Sequence, residues 1–150
     1  MKNPFNFFDK IYCINLEERT DRWEECLSEF KKYGIENVER IKAVKVDEES
    51  IPSKRRGQMG CSLSYAICVN KSLIEKAESV LILEDDFDFV FDKEKLYYKM
   101  NKALNALPED WDSLYLGGTV VDEYGHSPLE AFSDKLLKLK CAHTTHSIAF

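Results

Sequence analysis

Val80-Leu81-Ile82-Leu83-Glu84-Asp85-Asp86 sets four apolar, strand-forming residues directly before three consecutive carboxylates. An apolar run of this length, without polar alternation, fits a strand covered on both faces, as in a parallel α/β sheet. Ligands of such sheets bind where the carboxyl ends of the strands open into a crevice, which puts Glu84, Asp85 and Asp86 at that mouth. Adjacent carboxylates repel, and each that loses hydration needs a partner. A hard divalent cation, Mg²⁺ or Mn²⁺, supplies one through oxygen coordination. Asp88 adds a fourth acid two residues beyond Asp86. The plainer alternative is a solvated acidic turn after a strand.

Working outward, Lys10 to Leu16 reads as a first strand, and Arg19 to Tyr33 carries Trp23, Cys26, Leu27, Phe30 and Tyr33 at helical spacing with Gly34 as its stop. Val38 to Val44 alternates as a second strand would. Asp47 to Gln58 reads as a polar loop, and Gly60 to Ala77 as a helix with Leu63, Ala66, Ile67, Leu73, Ile74 and Ala77 on its apolar period. Downstream of the acids, Asp92 to Leu107 is a third amphipathic helix stopped by Pro108, and Trp111 to Gly118 is a short strand ending in a glycine turn. Leu136 to Cys141 and His146 to Phe150 are further strand-like runs. Strands alternating with helices predict one α/β domain over residues 1–150, with right-handed crossovers.

A length of 150 residues with 44% hydrophobic and 12% aromatic content suits one globular core. The net charge of -6, from 21 basic and 27 acidic residues, argues against a nucleic-acid-binding surface. It leaves room for a nucleotide ligand whose phosphates meet a metal and local arginines. No apolar stretch approaches the roughly 20 residues needed to cross a bilayer, and the N-terminus lacks a signal region. A soluble, cytoplasmic location is therefore expected. Cys13, Cys26, Cys61, Cys68 and Cys141 are scattered, odd in number and form no C-x-x-C pair. They read as small buried hydrophobes rather than zinc ligands or disulfides.

Asn15, Arg19 and Arg22 follow the first strand and so lie at the same sheet edge as the acids. Asn15 offers a donor and an acceptor, and the two arginines, three apart, share a helical face toward a phosphate or base edge. Alternatively, Asp21 is a favourable first-turn charge and the arginines are surface residues. Arg55 to Ser64 is a glycine-bearing loop running into a helix, whose first N–H groups are a potential anion site; Ser62 and Ser64 could equally cap that helix. His126, His143 and His146 show no metal spacing.

In their order, four blocks resemble glycosyltransferase family 25, the group of bacterial lipopolysaccharide-type sugar transferases and collagen galactosyltransferase domains. They are Ile11-Tyr12-Cys13-Ile14-Asn15-Leu16 with Arg19-Thr20-Asp21-Arg22, then Gly57-Gln58-Met59-Gly60-Cys61-Ser62-Leu63-Ser64, then Leu81 to Asp86, then Trp111 to Gly117. Tyr65 stands where the family usually has histidine. The resemblance implies a Rossmann-like nucleotide-diphospho-sugar fold of the GT-A kind, with the chain supplying the donor-binding portion of a longer catalytic domain. It implies transfer of a sugar from a UDP-sugar to an acceptor hydroxyl with Mn²⁺ or Mg²⁺. Asn15, Arg19, Arg22, Ser64, Glu84 and Asp85 would lie at the donor, with Asp86, Glu84 and Asp88 as metal ligands. The implied partners are a nucleotide-sugar donor and a glycan or hydroxylysine-type acceptor; a homo-oligomer is compatible with the sequence. The alternatives are a donor-binding protein of the same fold with little turnover, motivated by Tyr65 and the chain length, and a structural module whose acids are a solvated rim.

Overall fold

The apolar run becomes β3 (Val80–Glu84), the middle strand of a five-stranded sheet, with every residue but Glu84 buried. The computed structural model describes residues 1–117, 129–139 and 147–150. Before β3 come a 3-10 turn (Pro4–Phe7), β1 (Lys10–Asn15), α1 (Thr20–Tyr33), β2 (Val38–Lys42) and α2 (Ser53–Glu75). After it come α3 (Lys93–Leu104), β4 (Leu114–Gly117), β5 (Leu129–Ala131), β6 (Leu137–Leu139) and β7 (Ser147–Ala149). The strand order is β2-β1-β3-β7-β4. β1 pairs in parallel with β2 and β3, while β7 runs antiparallel to β3 and β4, so four of the five strands share one direction. β5 and β6 form a separate antiparallel ribbon. The expected Rossmann-like α/β architecture is therefore present, with one reversed strand that the apolar pattern does not specify.

Side chains alternate across a strand, and this divides the core. Ile11 and Cys13 of β1 and Leu81 and Leu83 of β3 pack with Cys26 and Phe30 of α1 and Leu96 and Met100 of α3. Tyr12, Ile14, Val80 and Ile82 face the other way, onto Cys68 of α2. α1 ends as its sequence demands, with Gly34 left-handed at φ 66° and its N–H closing onto Lys31 and Phe30 carbonyls. Asp92 caps α3, its side chain accepting from Lys95 N–H.

α2 departs from expectation in two ways. It begins at Ser53, so Ser53 to Gln58 is helical rather than loop, and the Gly57–Gly60 segment lies inside the helix instead of at its N-terminus. Its apolar period also faces outward: Leu63, Ile67, Leu73 and Ile74 are exposed, while Gly60, Ser64, Cys68 and Ser72, spaced by four, are buried against the sheet. Small residues on the inner face allow a close approach. A Cβ on Gly60 would lie 2.4 Å from the Val44 carbonyl oxygen. The helix start near Gly60, expected to carry an anion site, is therefore absent: the N-terminus of α2 lies two turns upstream at Ser53.

Among the described residues no helix is long and apolar enough to cross a membrane. Cys13, Cys26 and Cys68 are buried free thiols, as expected, but Cys61 is exposed. Gly118, His126, Cys141, His143 and His146 lie outside the described residues.

Candidate functional site

At the mouth of the sheet, alternation separates the three acids instead of delivering them to one spot. Glu84 continues the Val80 and Ile82 face and meets α2, where the Tyr65 hydroxyl donates to its Oε1 at 3.0 Å. Asp85 continues the Leu81 and Leu83 face and meets α1, where Arg22 Nη1 donates to its Oδ1 at 2.9 Å. Asp85 is also held from β1, by Asn15 Nδ2 on Oδ2 at 2.6 Å, and its side chain is 13% exposed. Asp86 is more open, 45% exposed, with its Oδ2 3.9 Å from the same arginine.

What keeps Asp86 and Asp88 at the surface is the aromatic spacing around them. Phe87 is buried and stacks on Phe30 at 5.5 Å, and Phe89 meets Tyr33 edge-on at 4.8 Å. These anchors turn Asp88 between them, and Asp86 just before Phe87, outward.

A cleft of about 260 Å³ opens beside β1 and β3. Glu84 and Asp85 form one wall with Tyr65 and Ser64; Arg19, Arg22, Lys45 and Arg56 bring cations to it. Arg22 and Asp85 also border a second hollow of about 350 Å³, with Glu25, Glu29, Asp86 and Asp88. The Arg22–Asp85 pair is therefore the partition between the two.

Each expected site residue has a distinct placement. Arg19 lines the cleft and is paired with Asp21 (Nη2 to Oδ2, 2.7 Å), whose carboxyl the guanidinium draws down to about 2. Ser64 lines it too, but its hydroxyl is structural, donating to the Gly60 carbonyl at 2.7 Å and accepting from Val44 N–H at 2.8 Å. Asn15 is 1% exposed and lies beneath the cleft, not in its wall. Its Oδ1 accepts from Arg40 Nε at 3.0 Å and also from Arg40 Nη2. No motif marks Arg40. The available signal is strand alternation: Arg40 pairs in register with Cys13 and so shares the α1 face with Asn15 two residues on.

Cys26 Sγ lies 3.9 Å from Cys13 Sγ and 3.5 Å from the Asp85 carbonyl. The Cys13 thiol is pushed up by that contact and by burial. Cys61, on the cleft wall, is raised by burial and by the charges of Glu84 and Asp86, which makes it a poor nucleophile at neutral pH.

Among the described residues no three His, Cys, Asp or Glu side chains converge as a metal cage. A Mg²⁺-type site does not require one, because such ions are commonly held by one or two carboxylates with the substrate's phosphates completing the shell. A single carboxylate meets that smaller requirement, and Glu84 on the cleft wall and Asp86 on the second hollow are the two candidates.

An open, mostly parallel sheet with charged groups gathered at its carboxyl edge is a Rossmann-like architecture, with its ligand crevice at the ends of the strands. A family profile described as glycosyltransferase family 25 (LPS biosynthesis protein) matches residues 8–144. Human procollagen galactosyltransferase 2 is 28% identical over 131 residues, covering 73% of this chain and 21% of that protein. Procollagen galactosyltransferase 1 of Danio rerio is 29% identical over 130 residues, covering the same 73% and 21%. A glycosyltransferase 25 family member of Anopheles gambiae is 31% identical over 128 residues, covering 71% and 21%. The chain belongs to glycosyltransferase family 25. It spans about a fifth of the length of the relatives it matches.

Proposed function

We propose that the cleft binds the nucleoside diphosphate of a UDP-sugar and that the chain takes part in moving the sugar to an acceptor hydroxyl. The observation that carries this reading is the meeting of arginines and carboxylates at one sheet edge: Arg19, Arg22 and Arg56 approach the cleft beside Glu84 and Asp85. A diphosphate needs cations fixed in advance, and planar guanidinium groups give charge-assisted bonds to its oxygens. Among the described residues the Arg56 side chain has no hydrogen-bond or ion-pair partner, which suits an incoming anion.

Mn²⁺ or Mg²⁺ would be held by Asp86, which with Asp88 borders the hollow across the Arg22–Asp85 pair, or by Glu84 on the cleft wall, and would neutralise the diphosphate as a leaving group. Arg22, fixed on Asp85, orients the phosphates. Tyr65 holds Glu84 at the sheet edge, a positioning role in place of the histidine usual in the family. Ser64 keeps α2 and the segment after β2 at the separation that forms the cleft. The names of the relatives make galactose the first sugar to test and a collagen-like peptide the first acceptor, with hydroxylysine as the acceptor group that the sequence resemblance implies; a lipopolysaccharide-type glycan is the other acceptor class.

The test is calorimetric titration of UDP with and without Mn²⁺ on the chain and on Asp86→Ala, followed by a screen of UDP-sugars read by released UDP. Metal-dependent binding in the parent and its loss in Asp86→Ala support the reading. Unchanged metal-dependent affinity in the variant removes Asp86 from the metal site. Binding without sugar release or transfer would indicate a donor-binding portion that needs the rest of a longer protein for turnover.

A further inference from the structure

Asn15 is buried at the mouth of the sheet, and every polar group on it is spent. Its Nδ2 donates to Asp85 Oδ2 at 2.6 Å and to the Arg19 carbonyl at 3.2 Å, while its Oδ1 accepts both Nε and Nη2 of Arg40. An amide has two donor hydrogens and two acceptor lone pairs, so no capacity is left for a ligand. The amide's orientation is also fixed from both sides. Reversed, it would set NH₂ against a guanidinium and oxygen against a carboxylate.

Arg40 is itself held, with its guanidinium 4.9 Å over the Trp23 ring. A continuous chain of contacts thus runs from Trp23 through Arg40, Asn15 and Asp85 to Arg22, which faces the cleft. Only its last two members, Asp85 and Arg22, line the cleft proposed for the ligand.

We infer that Asn15 and Arg40 are positioning residues for phosphate recognition, acting through Asp85 to fix the direction of the Arg22 guanidinium. This rests on the donor-site reading above and specifies which buried residues that site depends on. The reason is competition between two neighbouring acids. Arg22 Nη1 lies 2.9 Å from Asp85 Oδ1 but only 3.9 Å from Asp86 Oδ2, and its side chain is 35% exposed. With Asn15 gripping Oδ2, Asp85 cannot turn, and Oδ1 stays aimed at Arg22. Without that grip the carboxylate is free to rotate, and the arginine can transfer to Asp86 and leave the wall that faces the diphosphate.

The inference predicts a phosphate-specific effect, which separates positioning from general loss of structure. Calorimetry is run with UDP and with uridine, in Mn²⁺, on the 150-residue chain, on Asn15→Ala, on Arg40→Lys and on the double variant. Arg40→Lys keeps the charge but loses the two-pronged hydrogen bond to Asn15 and the stacking on Trp23. Each single variant should bind UDP about tenfold more weakly, the usual scale for removing a residue that orients a binding group, with uridine changed less than about twofold. The double variant should lose no more than the worse single, because both act through one chain of contacts. If removal of the buried amide unfolds Asn15→Ala, Arg40→Lys at its half-buried strand position carries the same test against the parent.

Equal losses for UDP and uridine, or UDP affinity untouched in folded variants, overturn the positioning role. So does a double variant in which the two losses multiply. A parent chain that ignores UDP sinks the donor-site reading and this inference with it, whereas a parent that binds UDP beside an Arg40→Lys chain that binds it equally well sinks the inference alone.

Discussion

Alanine at Gly57 and at Gly60 should have opposite effects on stability, although both lie in the same helix three residues apart. Glycine in a helix interior is disfavoured relative to alanine by about 0.5–1 kcal/mol. Gly57 has nothing within 4 Å of an added Cβ, so Gly57→Ala should recover most of that gain. At Gly60 the added Cβ would sit 2.4 Å from the Val44 carbonyl oxygen. That neighbour is backbone, and it is clamped, because Val44 N–H is bonded to Ser64 Oγ and Ser64 Oγ to the Gly60 carbonyl. The clash cannot be relieved by a side-chain rotation, so α2 must lift from the sheet. Overpacking of this kind typically costs about 1–3 kcal/mol, which outweighs the propensity gain and leaves Gly60→Ala destabilised by up to about 2 kcal/mol. Urea unfolding at neutral pH gives both values, and at this chain size each kcal/mol corresponds to about 2–4 °C in melting temperature. A Gly60→Ala chain as stable as Gly57→Ala would refute the close contact between α2 and the segment after β2. Since Val44, Gly60 and Ser64 all line the cleft, the same variant should also weaken UDP binding if the cleft is the donor site.

Ser64→Ala removes the hydroxyl that Val44 N–H bonds to, and leaving that group unpaired should cost about 1–3 kcal/mol in urea unfolding; a change near zero would mean the clamp is not stabilising. Arg22→Ala should weaken UDP more than uridine, by about 1.5–3 kcal/mol of charge-assisted bonding, and equal losses for the two ligands would take Arg22 away from the diphosphate. The Tyr12 phenol is raised from 10.0 to about 12 by burial and by its hydrogen bond to Glu75. The folded chain therefore holds that proton more tightly than the unfolded chain, and the resulting stability is present below the unfolded value and lost as pH rises through about 12. Melting curves on the alkaline side should fall less steeply for Tyr12→Phe than for the parent. Glu75 behaves oppositely: Lys71 and Lys10 lower its carboxyl from 4.5 to about 2, so its contribution is present above 4.5 and lost as pH falls through about 2. In Glu75→Gln that part of the acid dependence should vanish, and an unchanged acid profile would show the ion pairs to be without weight.

The sequence by itself determined the strand at Val80, the acids at its end, the extent of α1 with its Gly34 stop, and the alternation that makes an α/β sheet. These follow from neighbours one to four residues apart, which is the range over which strand and helix periods are written. Only the tertiary structure decided which way each acid faces and what it meets. Arg22 and Asn15 lie 63 and 70 residues from Asp85, too far along the chain for any local pattern to join them. The same holds for α2. Its apolar period points at solvent and its small residues at the sheet, because what selects the inner face is the closeness of the Val44 backbone to Gly60, and hydropathy does not record a distance between backbones. The reversed direction of β7 has the same origin: a short apolar strand reads alike in either sense, and its pairing with β3 and β4 is fixed only once the sheet has assembled.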